Sequence, residues 1–376
     1  MTSEVLKWAI EESGYSAAGL AADLKIDAAT VEAWITGHDG PTQGQFTKVA
    51  KKLHRPKSIF FLPEPPTSGE LPPRLRTTAG RTRRHLSAEE LIEVRRARRM
   101  QRLLSLLESD DRARLVAIPR ITVGHSINDA GARLRAWLGL TLADQRSWSS
   151  PQDAFNAWRD AFERRRILVM QLQLGGDGLR GFSLGDDFAP LVAVNTRENP
   201  QARMFTLLHE LAHLGSGTGT SCLEEAGHGP GADDVERWCE GVASAVVLPP
   251  DALREAVRTA AAAVEPDFAL VQELSSEFNV SLRATAVALI RAGLADDTLY
   301  ADVVMAAPTA DFDKRPTRGR SPKAPKRRLN EVGPRAAKVV LRALSENRLN
   351  ELDARRHLRL DGAEIGELAD EIGALA

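Results

Sequence analysis

The feature that most constrains this chain is a short pattern, His209-Glu210-Leu-Ala-His213, set in an apolar run with Phe205, Leu207, Leu208, Leu211 and Leu214. On a helix, positions i and i+4 lie one turn apart on one face, so both imidazoles aim at one point. Two imidazoles so aimed are donors for a divalent ion, and zinc is the expected cofactor. Glu210 stands where its carboxylate can take a proton from a water that the ion polarises. With eight histidines in 376 residues, chance supplies this pattern roughly 0.01 times per chain. The competing explanation is a buried helix holding two hydrogen-bonded histidines.

A catalytic zinc needs a third protein ligand. A metzincin continuation is absent, because Ser216 and Gly219 stand where glycine and histidine would be required. Downstream, Glu236 and Glu240 fall one turn apart on an expected helix. A glutamate on a following helix is the third ligand of thermolysin-type sites, so Glu236 is assigned as metal ligand. Glu240 is assigned as the outer group that orients a histidine. His228, Cys222, Asp233, Asp234 and Cys239 remain rival ligands. The glycine-rich stretch from Gly215 to Gly231 separates the histidines from Glu236 and has the composition of a lid or of a passive connection.

Length and composition bound the rest. At roughly 150 residues per domain, 376 residues make two or three. Hydrophobic content of 43% and charged content of 27% exclude wholesale disorder. Fifty basic residues against 51 acids leave a net charge of −1, so a nucleic-acid role must rest on local patches. Two cysteines exclude a disulfide scaffold. No apolar run approaches the ~18 residues of a membrane span, and the amino terminus does not read as a signal peptide. A cytoplasmic protein is expected.

The pattern divides the chain into 1–66, a helical bundle; 67–131, a basic helical connector; 132–305, the metal-binding domain; 306–328, a basic flexible linker; and 329–376, a small helical module. In the first, Asp27 is placed as an N-cap before Val31 and Trp34, with Gly37 as the stop, and Thr42 with Gln45 forms a capping box. The connector holds ten arginines against three acids from Arg74 to Arg102, either a solvated face or an anion-binding one. In the third, Trp137, Trp148 and Trp158 lie in helical patterns, followed by strand-like runs from Ile167 to Leu174, Gly181 to Leu184 and Pro190 to Asn195. A helix is expected from about Pro200. Few short strands among many helices indicate a mostly helical α+β fold. In the last module Val339, Leu341 and Leu344 form the helical apolar pattern.

Arg203-Met-Phe-Thr-Leu-Leu-His-Glu-Leu-Ala-His213, then Glu236, Cys239, Ala243 and Val-Val-Leu-Pro249, resembles the ImmA/IrrE family of metallopeptidases. Its members often carry an amino-terminal Xre-type helix-turn-helix, which residues 1–62 are similar to. The resemblance covers roughly 1–66 and 132–300. It implies a gluzincin-like fold, intracellular cleavage of repressors or regulators, and in some members an antitoxin role beside a toxin. Carried over by position, His209, His213 and Glu236 are ligands and Glu210 is the general base. One departure is Glu240, where the family usually has Asn or Asp.

A helix-turn-helix would present Ala28, Ala29, Thr30 and Glu32 at the start of its recognition helix. Thr30 can touch a thymine methyl, and Lys48, Lys51, Lys52, Arg55 and Lys57 are placed to hold phosphates. None of the base-facing positions makes a bidentate contact, so protein docking competes with DNA binding as the role of this domain. Three functions stay open: a zinc endopeptidase acting on a regulatory protein, a DNA-binding regulator or antitoxin with an unused protease centre, and a metal-stabilised scaffold. The expected partners are a protein substrate or partner, either a repressor or a toxin, and DNA through the amino-terminal domain. No membrane is expected, and a homodimer is an open arrangement.

Overall fold

A computed structural model of the chain describes residues 2–13, 15–53, 55, 57–65, 76–77, 88–111, 114–174, 179–218, 232–260, 266–307 and 322–373. The lid expected over Gly215 to Gly231 falls largely outside these residues, as do His228, Cys222 and most of the expected linker. The chain forms two compact units: Met1–Pro72 with Thr77–Arg96 and Leu174–Leu179, and Pro73–Arg76 with Ala97–Gln173 and Arg180–Ala376.

The first unit is built on helices α1 (Ser3–Glu12), α2 (Ala17–Leu24), α3 (Ala28–Thr36) and α4 (Gln43–Lys52), with a 3-10 turn at Lys57–Phe61. Local chemistry sets the helix ends. Asp27 accepts from the Ala29 N–H at 3.0 Å, Thr42 and Gln45 form the capping box, and α3 stops at Gly37 in the left-handed conformation. The apolar stripes of the four helices converge on one core of Leu6, Ile10, Leu20, Val31, Trp34, Val49, Leu53 and Phe60. Lys52 Nζ lies 2.7 Å from Asp23, whose carboxylate also accepts from Tyr15 OH at 3.0 Å.

The second unit packs helices around a small sheet. Of helix α5 (Ala88–Asp110) the residues from Ala97 onward belong to this unit; α6 is Ile127–Leu138, α7 Leu142–Ser147 and α8 Pro151–Arg164. Strands β1 (Leu168–Leu172), β2 (Leu179–Leu184) and β3 (Leu191–Asn195) follow. Strand β3 pairs in parallel with β1, Leu168 opposite Leu191, and antiparallel with β2, Gly181 opposite Val194. Every residue of β3 is buried, as expected for a strand covered on both faces. Next come α9 (Pro200–Ser216), α10 (Ala232–Val247), α11 (Pro250–Ala260), α12 (Phe268–Glu277), α13 (Leu282–Arg291) and α14 (Thr298–Ala306). Trp158, Phe155 and Phe162 of α8 are fully buried in the core that α9 and α10 share. Trp148 departs from its helical pattern: it is the extended residue capping α7, edge-on to Trp158 at 6.1 Å.

The carboxyl-terminal helices α15 (Ala324–Val332), α16 (Pro334–Ser345), α17 (Glu351–Leu358) and α18 (Gly362–Gly373) belong to this unit. The linker expected over 306–328 and the module expected over 329–376 therefore meet inside helix α15. Pro325 is tolerated in its first turn, and α15 lies along β1, where Gln171 Nε2 donates to Asn330 O at 2.9 Å. Glu163 of α8 accepts from the Arg335 backbone N–H at 3.0 Å, Arg335 pairs with Glu108 of α5 at 2.5 Å, and Arg348 meets Asp111, the residue after α5, at 2.6 Å, so one hydrogen bond and two ion pairs dock these helices. The buried stripe of α16 is Ala336, Ala337, Val340 and Ala343, with Val339, Leu341 and Leu344 only half-buried. Small residues win that face because α15, α17 and α18 all press on α16.

Helices α6 and α10 cross at Gly131. A Cβ there would stand 2.6 Å from Ala245 Cβ and 3.1 Å from the Ala245 backbone, so one methyl cannot be admitted without moving a helix. Gly131→Ala is expected to destabilise the protein by about 2 kcal/mol or more. That is a fall of roughly 4 °C or more in melting temperature, read by scanning calorimetry; an unchanged melt would show that the crossing tolerates the methyl.

Candidate metal centre

Helix α9 starts where the sequence signals it. The Asn199 side chain accepts from the Ala202 N–H at 2.8 Å, and Pro200 occupies the first turn. Its apolar positions face the core, so the helix is buried on most sides, and His209, Glu210 and His213 are buried with it. The one-turn spacing brings His209 Nε2 and His213 Nε2 to 3.0 Å, with ring centroids 4.7 Å apart.

Glu236 enters from α10. Its Oε2 lies 3.2 Å from His209 Nε2, and its Oε1 lies 3.4 Å from His213 Nε2. Three side chains thus form a donor triangle: the two imidazole nitrogens stand 3.0 Å apart, and each faces a different carboxylate oxygen of Glu236, at 3.2 and 3.4 Å. Ligands bonded at ~2.0–2.1 Å around a tetrahedral zinc stand about 3.3 Å apart. The spacing, the nitrogen and carboxylate donors and the burial of both histidines therefore fit such an ion. Among the described residues this is the group of His, Cys, Asp and Glu side chains close enough to share a metal. Burial pushes the Glu236 carboxyl up, but hydrogen bonds and charge from His209 and then His213 outweigh it and hold it well below the usual carboxylate range. Glu236 is therefore ionised at neutral pH, as a ligand must be.

Arg135 of α6 fixes the far end of α10. Its buried guanidinium donates to Val246 O at 2.7 Å, Gln145 Oε1 at 2.8 Å and Thr141 O at 2.9 Å. Gln145 Nε2 donates in turn to Val247 O and Phe278 O, both at 3.0 Å. These bonds satisfy carbonyls that the last turn of α10 leaves without helical partners. Burial lowers the Arg135 pKa to about 10, with Asp144 opposing, so the guanidinium keeps its charge at neutral pH.

The outer nitrogen of His213 has its own neighbours. His213 Nδ1 lies 2.9 Å from Thr218 Oγ1 and 3.7 Å from Cys239 Sγ, and Thr218 is braced by Ser216 Oγ at 2.7 Å. Cys239 is a rival ligand by sequence, but it faces the ring nitrogen opposite the donor triangle, and burial pushes its thiol up. Asp234, another rival, is exposed and pairs with Arg237. The side chain of Asp233 lies outside the described residues. Glu240 is half-buried, one turn beyond Glu236 on α10.

The sequence reading missed two groups. Thr218 is one of them. The other is Ser183 of β2, whose Oγ donates to Glu210 Oε2 at 2.7 Å. Ser183 is a polar residue between buried Phe182 and Leu184, which is a signal in itself, since buried hydroxyls find partners. The sequence does not show which partner.

Of the residues expected to meet DNA, Thr30 is half-buried on α3, while Lys48 and Lys51 are exposed on α4. Lys52 is tied to Asp23. Among the described residues no helix is long and apolar enough to cross a membrane.

Thr218→Val keeps the shape of the side chain and removes the hydroxyl beside His213 Nδ1. Zinc affinity, measured by competition with a chromophoric chelator, is expected to fall roughly 10–100-fold; equal affinities would remove Thr218 from the support of the site.

Residues 162–289 match the family model described as the IrrE N-terminal-like domain, Peptidase_M78. No curated protein matches the chain. The matched span contains Ser183, Glu210 and the whole donor triangle of His209, His213 and Glu236, so this segment is similar to an ImmA/IrrE-type metallopeptidase domain.

Proposed function

We propose that the protein is a zinc-dependent endopeptidase that cleaves an intracellular regulatory protein, with its amino-terminal unit serving as a helix-turn-helix targeting module. The observation that carries this reading is the donor triangle of His209, His213 and Glu236, with Glu210 one residue from its first member. His209, His213 and Glu236 would hold the zinc ion, which when bound would supply Lewis acidity to the scissile carbonyl and to the attacking water. Glu210 takes a proton from that water as its oxygen bonds to the carbonyl carbon. The same carboxyl then gives the proton to the leaving amine as the C–N bond breaks. Glu240, one turn beyond Glu236, is assigned to orienting a histidine.

Glu210→Gln keeps the shape of the side chain and removes its basicity. It is expected to lower cleavage of a co-produced regulator by at least about 100-fold, while zinc content stays at one per chain. Equal cleavage by variant and wild type would overturn the peptidase reading.

A second reading, a DNA-binding regulator or antitoxin with an unused protease centre, draws support from the exposed Lys48 and Lys51 of α4. Thr30 of α3 is then the base-proximal residue. Lys52, engaged with Asp23, adds less. Changing Lys48 and Lys51 to Ala is expected to weaken a gel-shift on the gene's own promoter and to reduce its salt slope by about 1 for each phosphate that the variant no longer neutralises. Unchanged binding would remove these lysines from any DNA interface.

A further inference from the structure

We propose that Ser183 is a positioning residue for Glu210: its hydroxyl holds the carboxylate in one orientation toward the reacting water. The proposal rests on the reading of Glu210 as general base. Ser183 Oγ donates to Glu210 Oε2 at 2.7 Å, and both side chains are only 4% exposed. A hydroxyl bonded to a carboxylate in such a place forms a short, charge-assisted bond.

The contact is built by the meeting of a strand and a helix. Gly181 and Ser183 are two residues apart on β2 and share a face, with ~6.8 Å between them. Thr206 and Glu210 are four apart on α9 and share a face, with ~6 Å between them. The two steps nearly match, so Gly181 sits on Thr206 where Ser183 sits on Glu210. A Cβ at Gly181 would stand 2.5 Å from Thr206 Cγ2 and 2.6 Å from Ala193 O. Only glycine lets strand and helix approach this closely, and that approach brings a side chain as short as serine within reach of Glu210. Strand β2 is itself held by β3, with Ser183 opposite Val192, so the hydroxyl is presented from a paired strand and not from a loop. A general base displaced by about 1 Å loses on the order of 100-fold in rate.

The test uses the full-length zinc-loaded chain and a protein substrate that the wild type cuts. Ser183→Ala is expected to lower kcat roughly 10–100-fold with KM and zinc content nearly unchanged. Ser183→Thr, which keeps the hydroxyl, is expected to recover most of the rate. Ser183→Cys, close in size and a poor donor, is expected to behave like Ala and serves if the Ala variant does not fold. A readout free of turnover is the binding of acetohydroxamate, a zinc chelator whose own hydroxyl seeks the general-base carboxylate. Ser183→Ala should weaken it several-fold in the wild-type background and not in the Glu210→Gln background. Wild-type kcat and wild-type acetohydroxamate affinity in Ser183→Ala would overturn the proposal, as would an equal loss in both backgrounds. If the wild type shows no cleavage that depends on Glu210, the peptidase reading fails on its own, and the acetohydroxamate cycle still decides whether Ser183 acts through Glu210.

Discussion

Three donor atoms from two helices have to meet within a few ångström, and the second unit is organised around that demand. Spacing within α9 delivers two of them without help from the rest of the fold, since one helical turn separates His209 from His213. The third depends entirely on where α10 lies. That helix is set by a glycine crossing at Gly131, where α6 comes within van der Waals contact of the α10 backbone, and by the Arg135 guanidinium on its terminal carbonyls. Burying a guanidinium is unfavourable unless its donors are satisfied. Here three oxygens receive it, two of them backbone carbonyls. On the helix so placed, Glu236 lies within 3.4 Å of both imidazoles.

Around this triangle the surroundings are graded by chemistry. The inner nitrogens face the donor point, while the outer nitrogen of His213 meets a hydroxyl and a thiol. Glu210 sits off the triangle, in contact with the sheet through Ser183. The donor cluster and the Glu210 carboxylate are thereby approached from different directions: Glu236 reaches the former from α10, and Ser183 reaches the latter from β2. A buried carboxylate has to be stabilised by hydrogen bonds, and the Ser183 hydroxyl supplies one.

The amino-terminal unit is assembled by local rules: caps at Ser16, Asp27 and Thr42 and apolar stripes that close on Trp34 and Phe60. Its surface chemistry is more ambiguous than its core. Of the lysines on α4, one is tied to Asp23 and two project into solvent. The carboxyl-terminal helices are joined to the second unit by ion pairs from Arg335 and Arg348 to α5 and the residue that follows it, which makes them part of the body that carries the metal centre.

What the residues determined alone was everything that depends on neighbours within about one helical turn. His209, Glu210 and His213 share a helix by their spacing; Asp27, Gly37, Thr42 and Gln45 mark helix ends through bonds to backbone groups two or three positions away. The three strands were legible as short apolar runs, and Glu236 as an acid on the next helix. Tertiary packing decided the rest, because it involves partners that no periodicity links. Ser183 finds Glu210 across 27 positions, and Cys239 was sorted from the rival ligands by the side of the His213 ring it faces. Helix α16 turned its alanines inward and left Leu341 and Leu344 half-covered, since closeness of neighbouring helices outweighed hydropathy there. Local bonds are encoded in local spacing; long-range contacts exist only once the chain has closed on itself.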